Sequence, residues 1–166
     1  MAKILVIDDE RAIRNTLKEI LEFEGYHVEV AENGRVGLER ALEGAYDLIF
    51  TDIKMPEMDG LEFLHSYRKG IIQHGEEAPI VVITGHGSVD SAVDALKGGA
   101  FDFIQKPLDL NRLLVTTKHA LDHKSLVQET KVLRKKVGKR NQMIGESAAI
   151  ERVRAIIDKV APTEAR

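Results

Sequence analysis

Acidic side chains that could hold a metal ion follow two separate apolar runs of the chain. Asp8 and Asp9 follow I-L-V-I, and Asp52 follows L-I-F-T. If both runs are strands of one parallel sheet, their carboxyl ends lie at the same edge and the three acids converge. Like charges in one cleft repel each other unless a cation neutralises them, and carboxylate oxygens suit Mg²⁺. The sequence therefore predicts a Mg²⁺ site whose open positions could accept phosphoryl oxygens.

A hydroxyl and an ammonium group are expected at the same edge. Thr84 ends the run I-V-V-I-T, and Lys106 follows F-D-F-I-Q. A metal ion, a hydroxyl donor and an ammonium around one carboxylate supply the charge neutralisation that in-line phosphoryl transfer requires. Asp52 is then the nucleophile, and Pro56 and Gly60 in the next loop supply a rigid turn that keeps it presented.

Each of these residues also has a commoner structural role. A single Asp after a strand is usually a helix cap, a single Thr bonds to backbone, and a single Lys is a surface charge. Their joint placement at four strand ends favours the functional interpretation. His119 and His123 have the i, i+4 spacing of metal ligands, but without a third ligand they are interpreted as surface or seam residues.

The elements that position these groups alternate along the first 110 or so residues. Short apolar runs and amphipathic stretches predict strands and helices around a parallel sheet. Gly25 is expected to end the first helix, Ser88 to cap the fourth and Gly98 to stop it. The predicted fold is α/β, a flavodoxin-like doubly wound five-stranded parallel sheet, (βα)5. The predicted strands cover residues 4–7, 27–31, 48–51, 80–84 and 103–104.

A long helix without turn signals is predicted from about Leu110 to Gly138. It would span roughly 42 Å, more than a last covering helix needs. Two interpretations stay open: a solvated connector rich in Lys and Arg, or a dimerising coiled-coil seam. The seam would use positions at alternating d and a spacing, over fewer than three heptads. These positions are Leu126, Thr130, Leu133 and Val137.

The composition is that of a globular chain with an uneven distribution of charge. Of its 166 residues, 43% are hydrophobic, 31% are charged and none is Cys, which excludes disulfides and thiolate metal sites. No apolar stretch is long enough to span a membrane, so we expect a cytoplasmic protein without a membrane partner. Residues 1–120 hold 13 Lys and Arg against 21 Asp and Glu, and residues 121–166 hold 11 against 6. The acidic part would repel nucleic acid.

Four motifs resemble the receiver domain of two-component response regulators over residues 3 to about 120. They are I-L-V-I-D-D-E, T-D-I-K-M-P-E-M-D-G, V-V-I-T-G-H-G and D-F-I-Q-K-P-L. The resemblance implies that Asp52 accepts a phosphoryl group from a phosphohistidine of a sensor histidine kinase. It implies Mg²⁺ bound by Asp9, Asp52 and the backbone carbonyl of Lys54, with Asp8 acting mainly through water. Thr84 and Lys106 would contact the phosphoryl oxygens.

The same resemblance implies a switch that couples Thr84 to an aromatic ring on the fifth strand. That residue is Phe103 instead of the frequent Tyr, so packing alone would decide whether its ring is buried; Phe103 could also be simply a core residue. Lys54 and His86 stand where the family tunes the lifetime of the phosphoryl group. The bond between Lys106 and Pro107 is expected to be cis.

The tail M-I-G-E-S-A-A-I-E-R-V-R-A-I-I-D-K-V resembles the opening of the AAA+ domain of sigma-54-dependent activators of the nitrogen-regulation type. The expected organisation is a receiver domain (1–121), a linker helix and possible coiled coil (122–140), and the start of an AAA+ ATPase domain (141–166). No G-x-x-x-x-G-K-[ST] motif occurs, so nucleotide hydrolysis is not expected of this chain. DNA and sigma-54 RNA polymerase would be contacted only through domains outside it. A homodimer is expected through the linker helix, the receiver face or both.

Two other functions compete with the phosphorylation switch. An aspartyl-phosphate phosphatase of the haloacid dehalogenase type would need a second Asp two residues after the nucleophile, where this chain has Lys54. A degenerate receiver could act as a dimerisation module without phosphorylation. We expect a phosphoacceptor that assists its own phosphorylation and dephosphorylation, not an enzyme acting on other substrates.

Overall fold

Strands and helices alternate along the chain in the order β1, α1, β2, α2, β3, α3, β4, α4, β5, α5 in the computed structural model. The structure describes residues 1–72, 76–85 and 89–140, with Arg152 and Ala155. The strands are β1 (Lys3–Ile7), β2 (His27–Ala31), β3 (Leu48–Asp52), β4 (Ile80–Thr84) and β5 (Asp102–Gln105). The helices are α1 (Arg11–Phe23), α2 (Gly34–Glu43), α3 (Gly60–Ile71), α4 (Val89–Lys97) and α5 (Leu110–Arg140).

The five strands form one parallel sheet in the order β2-β1-β3-β4-β5. This confirms the predicted doubly wound, flavodoxin-like fold. Side chains of the central strands alternate between two buried clusters, with Leu5 and Ile7 in one and Ile4 and Val6 in the other. Helices cover both faces of the sheet, which explains why its strands read as continuous apolar runs.

Three strands are longer than predicted. Four residues are added, and all continue the parallel pairing: Lys3 lies opposite His27, Asp52 opposite Ile83, Asp102 opposite Val81 and Gln105 opposite Thr84. Polar side chains at these positions hid the strand ends from a prediction based on apolar runs. One result is that Asp52 is the last residue of β3 and not the first residue after it.

The loop between β3 and α3 is closely fitted to the end of β3. Asp59 caps α3 by accepting hydrogen bonds from the amides of Leu61 and Glu62, and the Glu62 carboxylate accepts one from the amide of Asp59. This capping box fixes the start of the helix. Gly60, its first residue, packs so closely that a Cβ there would lie 2.2 Å from the carbonyl oxygen of Asp52.

At the opposite edge of the sheet, where the strands begin, hydrogen bonds connect α5 to the residues before β3 and these to the start of β1. Lys124 Nζ on α5 donates to the carbonyl oxygen of Tyr46 at 2.7 Å and to Asp47 Oδ1 at 2.9 Å. Asp47 Oδ2 accepts from the amide of Lys3 at 2.8 Å. Burial would raise the pKa of Asp47, but its hydrogen bonds to Lys3 and Lys124 and the positive charge of Lys124 lower that pKa overall.

Arg68 connects the ends of α3 and α4 at this same edge. Its Nη1 donates to the carbonyl oxygen of Gly98 at 2.9 Å, and its Nε pairs with Glu77 Oε1 at 2.8 Å. Its guanidinium lies against Gly99, which has a φ of +100° and no room for a Cβ. The positive φ favours a glycine there, and the missing Cβ leaves room for the Arg68 guanidinium in this position.

The chain separates into two compact units, Met1–Leu126 and Val127–Arg166. Helix α5 buries Leu113 and Ala120 in the first unit. It continues through Gly138 to Arg140, because a single glycine costs a helix only about 1 kcal/mol. In the second unit its described residues expose four large apolar side chains, Val127, Val132, Leu133 and Val137.

The predictions for His86, Ser88 and most of segment 141–166 lie outside the described residues. In that segment only Arg152 and Ala155 are described, and both are helical. Among the described helices, none has an apolar stretch that would cross a bilayer.

Candidate functional site

The groups that were predicted at strand ends lie together at the carboxyl edge of the sheet. Asp8 follows β1, Asp52 ends β3, Thr84 ends β4, and Lys106 follows β5. The parallel pairing of β1 with β3, of β3 with β4 and of β4 with β5 brings these four ends together. The convergence of Asp8, Asp52 and Lys106 is observed directly in their contacts.

Lys106 lies among three carboxylates. Its Nζ is 2.7 Å from Asp52 Oδ2, 3.3 Å from Asp8 Oδ2 and 3.3 Å from Glu10 Oε1. Burial would lower the pKa of Lys106, but the hydrogen bond and charge of Asp52, with the charge of Asp8, raise that pKa above its ordinary value. The side chain is thus held as an ammonium ion beside Asp52.

Asp8 is fully buried at the floor of the cleft. Its Oδ1 accepts a hydrogen bond from the amide of Glu10 at 2.8 Å. Its Oδ2 makes an ion pair with Lys106, but the geometry is not that of a hydrogen bond, and this atom accepts none from the described residues. Burial is the main cause of a raised pKa of Asp8, and the negative charge of Asp52 adds to it, while the Glu10 amide and Lys106 oppose it.

Asp52 is only 4% exposed, and each of its carboxylate oxygens has a partner. Oδ2 accepts from Lys106, and Oδ1 accepts from the amide of Lys54 at 3.3 Å. The peptide that follows it is fixed by the sheet, because the amide of Ile53 donates to the carbonyl of Ile83 at 3.0 Å. The carboxylate is therefore held in one place at the cleft.

The loop that carries the first two acids is held by Arg14 on α1. Arg14 Nη1 donates to the backbone carbonyl oxygens of Asp8 at 2.6 Å and of Asp9 at 2.9 Å. Since the guanidinium bonds to backbone oxygens, it leaves the carboxylates of this loop available to other partners.

The acids that converge are not all those that the sequence indicated. Asp8, Glu10 and Asp52 each place one carboxylate oxygen within 4.8 Å of the other two, and this is the one such group among the described residues. Asp9 is exposed and lies outside the group. Sequence reasoning missed Glu10; the signal that could have found it is the run of three acids, D-D-E, after β1.

The other predicted residues lie on β4, on or directly after β5, and on α5. Thr84 is 3% exposed, and its carbonyl accepts from the amide of Lys106 at 2.7 Å. Phe103 is partly buried and packs against the core. The Lys106–Pro107 bond is cis, as the resemblance implied. On α5, His123 is exposed and its ring lies 5.3 Å from that of Phe101, a contact unlike that of a metal ligand.

The donor set is suited to a divalent cation that prefers oxygen ligands. Two buried carboxylates and one at the rim face a single ammonium group, and a buried oxygen of Asp8 still lacks a hydrogen-bond donor. Buried carboxylates without partners are costly, and a hard cation would satisfy them. The residues present therefore fit a cation such as Mg²⁺.

Comparison with known proteins identifies the family. Residues 4–118 match the family described as the response regulator receiver domain. The nitrogen assimilation regulatory protein NtrX of Azorhizobium caulinodans is 39% identical over 165 residues, 98% of this chain and 35% of that protein. The transcriptional regulatory protein ZraR of Klebsiella oxytoca is 39% identical over 164 residues, with the same coverage. The chain thus spans about a third of the length of these relatives.

Solved structures agree with this assignment. A crystal structure of NtrX from Brucella abortus is 38% identical with a TM-score of 0.73, covering 99% of this chain and 36% of that one. A response regulator receiver domain protein from Clostridium thermocellum is 36% identical with a TM-score of 0.70, covering 76% of this chain and 99% of that one. The chain therefore belongs to the receiver domain family of response regulators.

Proposed function

We propose that this chain is a phosphorylation-dependent signalling switch in which Asp52 accepts a phosphoryl group from a phosphohistidine of a sensor histidine kinase. The observation that carries the proposal is the buried Asp52 carboxylate, held 2.7 Å from the Lys106 ammonium in a cleft of acids. One Asp52 oxygen bonds to phosphorus as the bond from phosphorus to the kinase imidazole nitrogen breaks, and that nitrogen keeps the electron pair.

The residues around Asp52 would stabilise the transferred group. Lys106 supplies a fixed positive charge next to the accepting oxygen, and the Thr84 hydroxyl would donate to a phosphoryl oxygen. Mg²⁺ would be held by Asp9, Asp52 and the Lys54 carbonyl, with Asp8 acting mainly through water, as the resemblance implies, and it would neutralise charge on the phosphoryl oxygens. Lys54, two residues after Asp52, would flank the path of an attacking water and so influence how long the acyl phosphate lasts.

Phosphorylation would act on the rest of the fold through Thr84 and Phe103. A new dianion at Asp52 attracts the Thr84 hydroxyl, and its movement would free space for the half-buried Phe103 ring. Such a shift selects between two arrangements of α4 and β5. The Phe103 ring has no hydroxyl, so packing alone would determine its position.

The output would be control of dimerisation in a sigma-54-dependent activator. This proposal follows the relatives named NtrX and ZraR and the resemblance of segment 141–166 to the start of an AAA+ domain. The domain limits would be 1–121, 122–140 and 141–166. Leu133 and Val137, which are 60% and 58% exposed, would pair with a second copy of α5. Contacts to DNA and to RNA polymerase would belong to other domains.

Intact mass after incubation with acetyl phosphate and Mg²⁺ tests the proposal. We expect a labile gain of about 80 Da, the mass of one phosphoryl group, in the wild type and in Asp94→Ala, an exposed acid on α4. Asp52→Ala should show no gain. Equal labelling of Asp52→Ala would contradict the proposal. Steady release of phosphate from unrelated phosphomonoesters would instead favour a phosphatase. If the wild type itself shows no gain in mass, the result would favour a degenerate receiver.

A further inference from the structure

The Glu10 side chain, 60% exposed at the rim of the cleft, contacts Lys106 instead of capping its own helix. Glu10 is the N-cap residue of α1, directly before its first residue, yet its side chain makes no capping hydrogen bond to the helix. Its Oε1 lies 3.3 Å from Nζ of Lys106, a residue 96 positions further along the chain. Its own amide donates to Asp8 Oδ1, so backbone and side chain both fasten it to the site.

The charges around Lys106 do not balance among the described residues. Three carboxylates, those of Asp8, Glu10 and Asp52, surround this single ammonium group. Arg14, which also contacts this loop, is bonded to backbone carbonyls and not to these carboxylates. The excess of two negative charges equals the charge of one divalent cation, and the buried Oδ2 of Asp8 still lacks a hydrogen-bond donor.

We propose that Glu10 belongs to the divalent-cation site with Asp8 and Asp52, and that its carboxylate sets the affinity of that site. The inference rests on the proposed function for the identity of the cleft, but it concerns a residue outside the family's expected ligand set. Its physical basis is that these three acids already bring one oxygen each within 4.8 Å of the others, whereas Asp9 is not part of this group. Oxygen donors at such spacing suit Mg²⁺ and Mn²⁺.

The test measures cation affinity without any phosphodonor. Mn²⁺ binding to the full chain is followed by electron paramagnetic resonance of the free ion. Since a carboxylate at this distance contributes directly to the attraction of a dication, we expect Glu10→Gln to weaken binding about tenfold. Glu10→Asp, which keeps the charge, should remain within about threefold of the wild type. Melting curves without metal show whether each variant is folded.

Glu24→Gln is the matched control for net charge. Glu24 is exposed at the far end of α1, about 20 Å along the helix from Glu10. At physiological salt this distance exceeds the Debye length of roughly 8 Å, so its loss should leave the Mn²⁺ affinity unchanged. An equal loss in Glu24→Gln and Glu10→Gln would reduce the effect to net charge and overturn the proposal.

A double-mutant cycle separates binding by Glu10 from an effect transmitted through Lys106. In a Lys106→Gln background, the loss caused by Glu10→Gln should persist. If it disappears there, or if Glu10→Gln binds Mn²⁺ as the wild type does, the assignment of Glu10 to the cation site is wrong. The same samples are tested for phosphorylation: a wild type that is labelled at Asp52 while Glu10→Gln binds normally refutes only this inference, and an unlabelled wild type refutes the proposed function.

Discussion

Replacing Gly60 by Ala tests how tightly α3 is fitted to the phosphoacceptor strand. A Cβ at this position would lie 2.2 Å from the carbonyl oxygen of Asp52 and 2.9 Å from Cα of Ile53. Both neighbours are backbone atoms of a peptide that is hydrogen-bonded into the sheet. No side-chain rotation can relieve such a contact, so either α3 or the end of β3 must move.

The expected cost follows from the overlap. The distance to the Asp52 carbonyl is more than about 1 Å inside normal contact, and overpacking of this kind costs about 1–3 kcal/mol. Alanine gains at most about 1 kcal/mol over glycine in a helix. We therefore expect Gly60→Ala to lower the free energy of unfolding by about 2 kcal/mol. The added Cβ pushes against the carbonyl of Asp52 itself. Displacement of this residue should lower both the Mn²⁺ affinity and the extent of phosphorylation by acetyl phosphate.

Gly70→Ala, in the same helix, is the matched control. Its Cβ would meet Cδ2 of Leu42 at 2.8 Å, the end of a flexible side chain. A small rotation relieves that contact, so its stability should stay within about 1 kcal/mol of the wild type. Urea denaturation followed by far-ultraviolet circular dichroism measures both variants. If Gly60→Ala unfolds at the wild-type midpoint and binds Mn²⁺ normally, the close fit inferred here is wrong.

Two further predictions concern the opposite sheet edge and α5. The lowered pKa of Asp47 means that its stabilising effect is complete above the unfolded pKa of about 3.9 and is lost as the pH falls through the lower folded value. As the pH falls from about 5 to 3, the free energy of unfolding of Asp47→Asn in urea melts should therefore fall less than that of the wild type. Glu39→Gln, which removes an exposed acid, should follow the wild type. If the free energy of unfolding of Asp47→Asn falls as much as that of the wild type, Asp47 does not stabilise the fold in this way. For α5, Leu133→Asp should sediment as a monomer and Val132→Asp, a neighbour 50% exposed but off the seam, as a dimer. A monomeric wild type would exclude the seam.

The convergence of Asp8, Asp52 and Lys106 could be predicted because it depends only on strand direction. Parallel strands bring their carboxyl ends to one edge, whatever the detailed packing. The contact between Glu10 and Lys106 could not be predicted in this way. An acid before a helix is usually a cap, and only the three-dimensional placement of β5 brings Lys106 within reach of it. The exposed position of Asp9 depends likewise on the loop conformation fixed by Arg14.

Element boundaries were less predictable than the order of elements. Residues such as Lys3 and Asp102 extend their strands through backbone pairing, which polar side chains do not reveal. The end of α5 was obscured for a different reason, since the intrinsic preference of Gly138 is too weak to stop a long helix. Sequence patterns report side-chain burial well and backbone hydrogen bonding only indirectly.

The hydrogen bond from Arg68 to the carbonyl of Gly98, the residue directly after α4, affects how that helix could move. Arg68 fixes the C-terminal end of α4 to α3 through Gly98, and Gly99 leaves space for this contact. The opposite end of α4 follows Thr84 by a few residues. A rearrangement that starts at Thr84 would therefore pivot α4 about its anchored end and swing its first turn furthest.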